Sequence, residues 1–498
     1  MVRNGVFVTS LVLVLLFVAV GIFLPGEMDL FSAAVHGWII EHVGWAYLLS
    51  AFLFLVFSLG LALSPFGSIR LGADTEKPQY SYFGWFSMLF AAGMGIGLIF
   101  WGVAEPMSHY LNPPEHIAGS SAEAAAFAMR YSFFHWGVHP WAIYIVMSLS
   151  IAYFSFRRGM PPLISSCFYP LLGDRIQGLW GQAIDTLAVI ATVFGIVTSL
   201  GLGALQITDG VGSILPLPPG LGTTLVIIAV VTVLYMISSM TGLDKGIQLL
   251  SRTNVFLAVA LLLFVLVVGP SSYILNIFTT TLGGYLSGLL EMSLSTNPFE
   301  GYGWTRSWTL FYWAWWISWS PFVGLFVASI SRGRTIREFV LGAILVPTLL
   351  TFLWFATFGG TAFAVARYDD PGFATRAVEE VSSALFILFE YLPFSPVLTV
   401  LALVLLTVFF VTSADSATFV LAMMTSRGSL SPPAGKKLLW GAVQSTAAAV
   451  LLLSGGLDAL QRMAIVAALP FTVVMLFMAA SLYKGMHYEM YREGSPGK

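Results

Sequence analysis

Trp313-Ala314-Trp315-Trp316-Ile317-Ser318-Trp319-Ser320-Pro321 stands at the centre of an apolar segment that runs from residue 304 to 331. Tryptophan in membrane spans normally gathers at the two lipid–water interfaces, where the ring is apolar and the N–H stays wet. Four of them in mid-segment call for another reason, and an electron-rich ring face suits a methylated ammonium ligand. The composition puts the segment in a bilayer. The 498 residues are 58% hydrophobic and only 9% charged, against roughly 25% charged in soluble domains. That is too little polar surface to cover a globule, so the fold class is an all-α polytopic membrane protein.

Apolar runs of about 20 residues, the length that crosses a hydrocarbon core of roughly 30 Å, recur near 6–24, 45–64, 83–104, 130–156, 180–208, 220–240, 251–270, 304–331, 337–361, 396–425, 436–455 and 458–481. They predict about 12 transmembrane helices. The first follows Arg3 as a secretory signal would, but no small-residue cleavage site comes after it, and it reads as a helix of the mature chain. With the loops alternated between two faces, only Arg130, Arg306, Arg367, Arg376 and Arg462 of the 22 Lys and Arg fall on one side. The positive-inside rule makes the other side cytoplasmic and places both termini there. The lone Cys167 excludes an internal disulfide.

The organisation is set by the interruptions. Two N-terminal helices with a loop occupy 1–82, a first five-helix repeat 83–270, and an interfacial amphipathic helix with its loop 271–303. A second, inverted five-helix repeat takes 304–481 and a short cytoplasmic tail 482–498. Each repeat opens on an irregular helix: Gly93-Met94-Gly95-Ile96-Gly97 in the third span, and the Trp run broken by Pro321 and Gly324 in the eighth. Three alternating glycines do not line one helix face; they weaken the helix itself. Unwound backbone in lipid must line a cavity, and paired broken spans in two halves point to a transporter with a midplane site.

The fourth span adds His135-Trp136-Gly137-Val138-His139-Pro140-Trp141-Ala142-Ile143-Tyr144. On a continuous helix at 100° per residue, Trp136, Trp141 and Tyr144 fall on one side. His135 and His139 read as hydrogen-bonded structural residues, since no carboxylate or Cys accompanies them as a metal site would need. In the tenth span, Phe409-Phe410-Val411-Thr412-Ser413-Ala414-Asp415-Ser416 places hydroxyls beside Asp415. An ionisable group inside a span is a functional candidate, and Arg332, Arg334 and Arg337 are its expected partners in an inner gate. Asp415 is the one carboxylate read as deep in a span. With no His-Glu-x-x-His helix or Gly-x-Ser-x-Gly elbow, an intramembrane enzyme is excluded; nothing suggests nucleic acid.

On these motifs, together with Trp308 to Arg337, the whole chain resembles the betaine/choline/carnitine transporter (BCCT) family. The resemblance implies trimers, with the interfacial helix near 272–290 in the assembly, and a bacterial cell membrane location. It implies an aromatic box of Trp136, Trp141, Tyr144 and Trp316, with Trp315 and Trp319 beside it on the transport path. A ligand carboxylate is expected near Gly95 and Ser199. Sodium, the coupling ion in place of any cofactor, is expected on the carbonyls of Ala91, Met94 and Phe409 and the hydroxyls of Thr412 and Ser413. The fifth span lacks the arginine that replaces sodium in the carnitine exchangers. A second sodium site keeps Thr192 and Phe322, but Ile196 stands where its other threonine belongs and offers no oxygen.

Gly97 bears on the substrate. Choline carriers of the family commonly carry Asp there, so glycine fits sodium-driven import of a zwitterion such as glycine betaine. Ectoine, proline, carnitine, dimethylsulfoniopropionate and choline, with proton symport or exchange, stay open. The short tail predicts little activation by hyperosmotic stress.

Overall fold

In the computed structural model the chain is helical throughout, with no β-strand among the described residues. The structure describes residues 5–493 apart from 94, 219, 242–243 and 299–302, and only the backbone at 90, 92, 93, 241, 244–252, 492 and 493. Each of the twelve apolar stretches falls on helix. Nine helices are long and apolar enough to cross a membrane, or ten if Thr253–Val268 and Ser271–Leu294, bent by 108°, count as one span, among the described residues. The second helix is longer than its apolar run, from Pro25 to Leu63. The last two runs form one tract, Ala434–Tyr488, turned at Gly455 and Gly456. Gly456 has φ +61°, where a side chain would be strained.

The exterior is apolar, as in no soluble protein, and the largely apolar interior also holds fully buried polar groups. Val8, Leu16, Phe23, Val230, Leu349 and Val397 are exposed, whereas Glu105, His109, His135, Gln206 and Gln444 are fully buried. A hydrocarbon solvent accounts for the first group; hydrogen bonding inside the bundle must satisfy the second.

The eighth span, expected to break at Pro321 and Gly324, is instead one continuous helix, Thr309–Ile330, with Pro321 accommodated inside it; among the described residues the third and fourth spans are the ones interrupted mid-run. The third divides into Tyr82–Gly93 and Ile96–Leu111, with Gly95 extended between them at φ −153°, ψ −176°. The fourth, expected as one helix, divides at Gly137 into Ala122–Trp136 and Val138–Ala152. Pro140 gives the physical reason: it has no N–H to return to the Trp136 carbonyl. That carbonyl accepts instead from the Thr351 hydroxyl at 2.9 Å, and the His135 carbonyl accepts from Trp316 Nε1 at 3.0 Å. Tyr285 of the helix Ser271–Leu294 closes the break, its hydroxyl oxygen accepting from the Val138 N–H at 3.3 Å.

The basic loops meet at one end of the bundle. Arg157 donates to Asp74 at 2.7 Å and to the carbonyls of Arg70 and Gly72, and also pairs with Glu489. Residues 482–488 continue the last helix, and Glu489, just beyond it, is tied through Arg157 to the fourth span and to the loop after the second helix. Beside them, Thr335 and Glu338 form a capping box that starts the ninth span, a feature contributing about 1 kcal/mol. Backbone bonds from Leu71 to Arg334, Gly333 to Leu71 and Ile336 to Ile69 lock that start to the segment that follows the second helix.

Candidate binding site

At the break in the fourth span, Trp136, Pro140, Trp141, Tyr144, Trp316, Trp319 and Thr351 enclose a cavity of about 30 Å³. Trp136 meets Trp316 edge to face at 4.9 Å between ring centroids; Tyr144 stands 6.2 Å from Trp316, and Trp141 lies 5.7 Å from Tyr144. The break unites rings that a continuous helix would spread over about 140°. The volume is near that of one water molecule, so a quaternary ammonium group enters only if the rings part.

The other tryptophans of the run divide by environment. Trp315 stacks between Phe311 at 5.5 Å and Trp316 at 4.7 Å, donating to the Gly195 carbonyl at 3.3 Å. Trp313 is fully buried and stacks on His139 at 5.3 Å, a packing role. Trp319 lines the cavity, and its buried Nε1 has no acceptor among the described residues. The same ring lies 4.0 Å from where a Cβ on Gly95 would stand. Gly97 is under tighter constraint, because a Cβ there would lie 2.5 Å from Trp315 and 3.1 Å from Trp136.

Behind the box lies a carboxylate that the sequence motifs do not reveal. Glu105 falls just past the third apolar run, but Ile96–Leu111 carries it into the interior. Its carboxylate accepts from Trp136 Nε1 at 2.7 Å and the Tyr312 hydroxyl at 2.5 Å, and it faces His135 Nδ1 at 2.7 Å and His109 Nε2 at 3.2 Å. The expectation that His135 has no carboxylate beside it, and that Asp415 alone lies deep, is thus corrected; Asp185 is buried as well, held by Ser165. The three ligating groups of Glu105, His109 and His135 lie within 4.8 Å of one another, but each already faces a protein hydrogen-bonding partner. The available signal is helical spacing: Glu105 and His109 are one turn apart and share a face.

The residues expected around an ion are arranged as follows. Met94 lies outside the described residues. A Cβ on Gly203 would stand 2.9 Å from Ile96 and 3.1 Å from Phe410, so the broken third span and the tenth meet against the fifth. The Thr412 hydroxyl donates to the carbonyls of Val408 and Phe409, and Ser413 is half-buried beside it. Ser199 bonds back to Gly195 at 3.4 Å and Thr192 to Ala188 at 2.7 Å. Ile196 is buried, and Phe322 packs on Trp319 at 5.4 Å.

Asp415 is buried and accepts from Ser238 at 3.4 Å. The arginines expected beside it have other partners. Arg332 pairs with Glu76 at 2.6 Å, Arg334 donates to the Tyr80 carbonyl and covers Trp85 at 4.0 Å, and Arg337 donates to the Ala62 carbonyl at 2.8 Å. Their long side chains reach the loop nearest in space.

An aromatic cavity at a helix break within an apolar-coated bundle is the build of a membrane transporter of a small molecule. The chain belongs to the BCCT family, the betaine/carnitine/choline family transporters, whose profile matches residues 5–491. It is 50% identical over 471 residues to the glycine betaine transporter OpuD of Bacillus subtilis, covering 94% of this chain and 91% of that one. An ectoine/hydroxyectoine transporter of Virgibacillus pantothenticus is 45% identical over 480 residues, covering 96% and 95%. A glycine betaine/proline/choline transporter of Vibrio parahaemolyticus is 40% identical over 503 residues, covering 97% and 90%. The chain is accordingly a multi-pass transporter and not an enzyme.

Proposed function

We propose that this protein imports a zwitterionic quaternary-ammonium solute, glycine betaine first, by sodium-coupled alternating access across a bacterial plasma membrane. One observation carries the reading: both principal indoles have their N–H groups drawn away from the cavity, Trp136 to Glu105 and Trp316 to the His135 carbonyl. What faces the cavity is ring, whose π face attracts dispersed positive charge. Trp319, which lines the cavity with its ring near Gly95, keeps a buried Nε1–H without an acceptor among the described residues, a donor available to the carboxylate of a zwitterion once the rings part. The relatives' names favour glycine betaine, and the ectoine relative keeps a cyclic zwitterion as the second candidate.

For the ion, the hydroxyls of Thr412 and Ser413 and the carbonyls of Ala91 and Phe409 are oxygen donors of the kind a small hard cation takes. Ile196 argues for one sodium rather than two. Each charge moved inward across 100 mV contributes about 2.3 kcal/mol, so a single ion suffices for accumulation. Both termini are assigned to the cytoplasm by the basic loops. The exposed Leu275, Leu286, Leu290 and Leu294 on Ser271–Leu294 suit a trimer contact. Uptake of labelled glycine betaine into proteoliposomes, with an inward sodium gradient and with potassium replacing sodium, tests the whole. No uptake of glycine betaine or ectoine sinks the substrate; equal uptake in both salts sinks the coupling.

A further inference from the structure

We infer that Glu105 is the counter-charge and positioning residue of the aromatic cage. The inference rests on the reading that the cavity takes an ammonium group. Glu105 is fully buried, and its carboxylate is the point where three elements meet: Ile96–Leu111, Ala122–Trp136 and Thr309–Ile330. Two of its partners are fixed donors, the Trp136 N–H at 2.7 Å and the Tyr312 O–H at 2.5 Å. The other two are imidazoles, and the contacts of their far nitrogens are compatible with neutral rings. His135 Nε2 lies 2.9 Å from the Thr309 hydroxyl, and His109 Nδ1 has no partner among the described residues, so a second proton on His109 would be a buried, unsatisfied N–H. If each imidazole is neutral and donates to Glu105, all four contacts are donors and the carboxylate keeps its negative charge, one indole away from the cavity.

The ligand feels this charge in two ways. A charged acceptor on the Trp136 N–H is a charge-assisted bond, about twice as strong as a neutral one; it pushes electron density into the ring whose other side walls the cavity. The buried negative charge also favours a cation on that far side, because a low local dielectric screens it little. The geometry is shared with the second wall. Tyr312, held by Glu105, stacks on Trp316 at 5.9 Å and 23°, and His135, also held by Glu105, supplies the carbonyl that fixes Trp316. One side chain therefore sets both rings.

The test is tryptophan-fluorescence titration of the purified full-length protein with glycine betaine, and with choline as a net cation. Glu105→Gln keeps the shape and removes the charge, and is expected to raise the dissociation constant about tenfold. Choline, without its own carboxylate, should lose at least as much. Glu105→Asp keeps the charge and should recover most of the loss. Trp136→Phe and Tyr312→Phe each remove one donor and leave the carboxylate, which covers the case where Glu105→Gln does not fold. Each should weaken binding severalfold, and Glu105→Gln should add little on top of Trp136→Phe. An unchanged constant in Glu105→Gln, an equal loss in Asp and Gln variants, or unchanged binding in both Phe variants overturns the inference. Absence of ligand binding by the wild-type protein overturns the proposed function itself, and this inference with it.

Discussion

Gly97→Ala is the perturbation whose effect the geometry defines most sharply. The added methyl would stand 2.5 Å from Trp315 Cη2, 3.1 Å from Trp136 Cη2 and 3.3 Å from Trp315 Cζ3. Carbon atoms in contact lie about 3.5–4.0 Å apart, so Trp315 must give way by roughly 1 Å. It has little room to do so, being stacked between Phe311 and Trp316 and tied to the Gly195 carbonyl. Gly195 cannot retreat either, since a Cβ there would lie 2.8 Å from the backbone of Ser318. Overpacking of this kind costs about 1–3 kcal/mol, against a gain of about 0.5–1 kcal/mol from replacing glycine within a helix. Because the displaced ring is stacked on Trp316, the net loss, about 1.3 kcal/mol at the middle of those ranges, falls on the cage: an increase of about tenfold in the dissociation constant for glycine betaine. Gly95→Ala is the comparison within the same site: its nearest neighbour is Trp319 at 4.0 Å and its extended backbone suits any residue, so a methyl there leaves Trp315 in place and should cost less than Gly97→Ala. Both variants are read by fluorescence titration after size-exclusion chromatography. If Gly97→Ala binds as wild type, or Gly95→Ala loses as much, steric control of the cage from the broken third span is refuted.

Trp316→Leu keeps the wall apolar and removes the π face, and should weaken binding by about 0.5–2 kcal/mol; an unchanged titration would mean Trp316 only packs. Thr412→Ala and Ser413→Ala should raise the sodium concentration for half-maximal uptake, while Thr192→Ala should leave it unmoved because Ile196 offers no oxygen to complete a second site; a strong effect at 192 would restore the second ion. Arg157→Lys cannot reach Asp74, Glu489 and two carbonyls together. It should lower the melting temperature in detergent, by the equivalent of about 1–3 kcal/mol, without altering the dissociation constant for glycine betaine; a shift in that constant instead would place Arg157 in the substrate path.

The membrane class, the positions of the spans and the break at Gly95 are all legible in the chain. Each depends on local properties: twenty-residue apolar runs, and glycines that give a helix no reason to continue. The box residues are legible too, because Trp136, Trp141, Tyr144 and Trp316 are costly to place in mid-span without purpose. Only their arrangement is not. Reading His135 to Tyr144 as an unbroken helix overlooks that Pro140 leaves the Trp136 carbonyl free, and that Thr351, far along the chain, takes it. Charge alone assigns arginine partners to Asp415, whereas those arginines are held by loops close in space.

What the sequence by itself determined is the solvent and the rings that gather at the cavity: an apolar exterior, an interrupted third span and tryptophan where lipid would not want it. Glu105 is what tertiary structure alone decided. Its neighbours in sequence read as the end of a helix, and its role exists only because Trp136, His135 and Tyr312 converge on it from other elements. A buried carboxylate is tolerable only where several donors meet it at once, and the folded bundle brings them together.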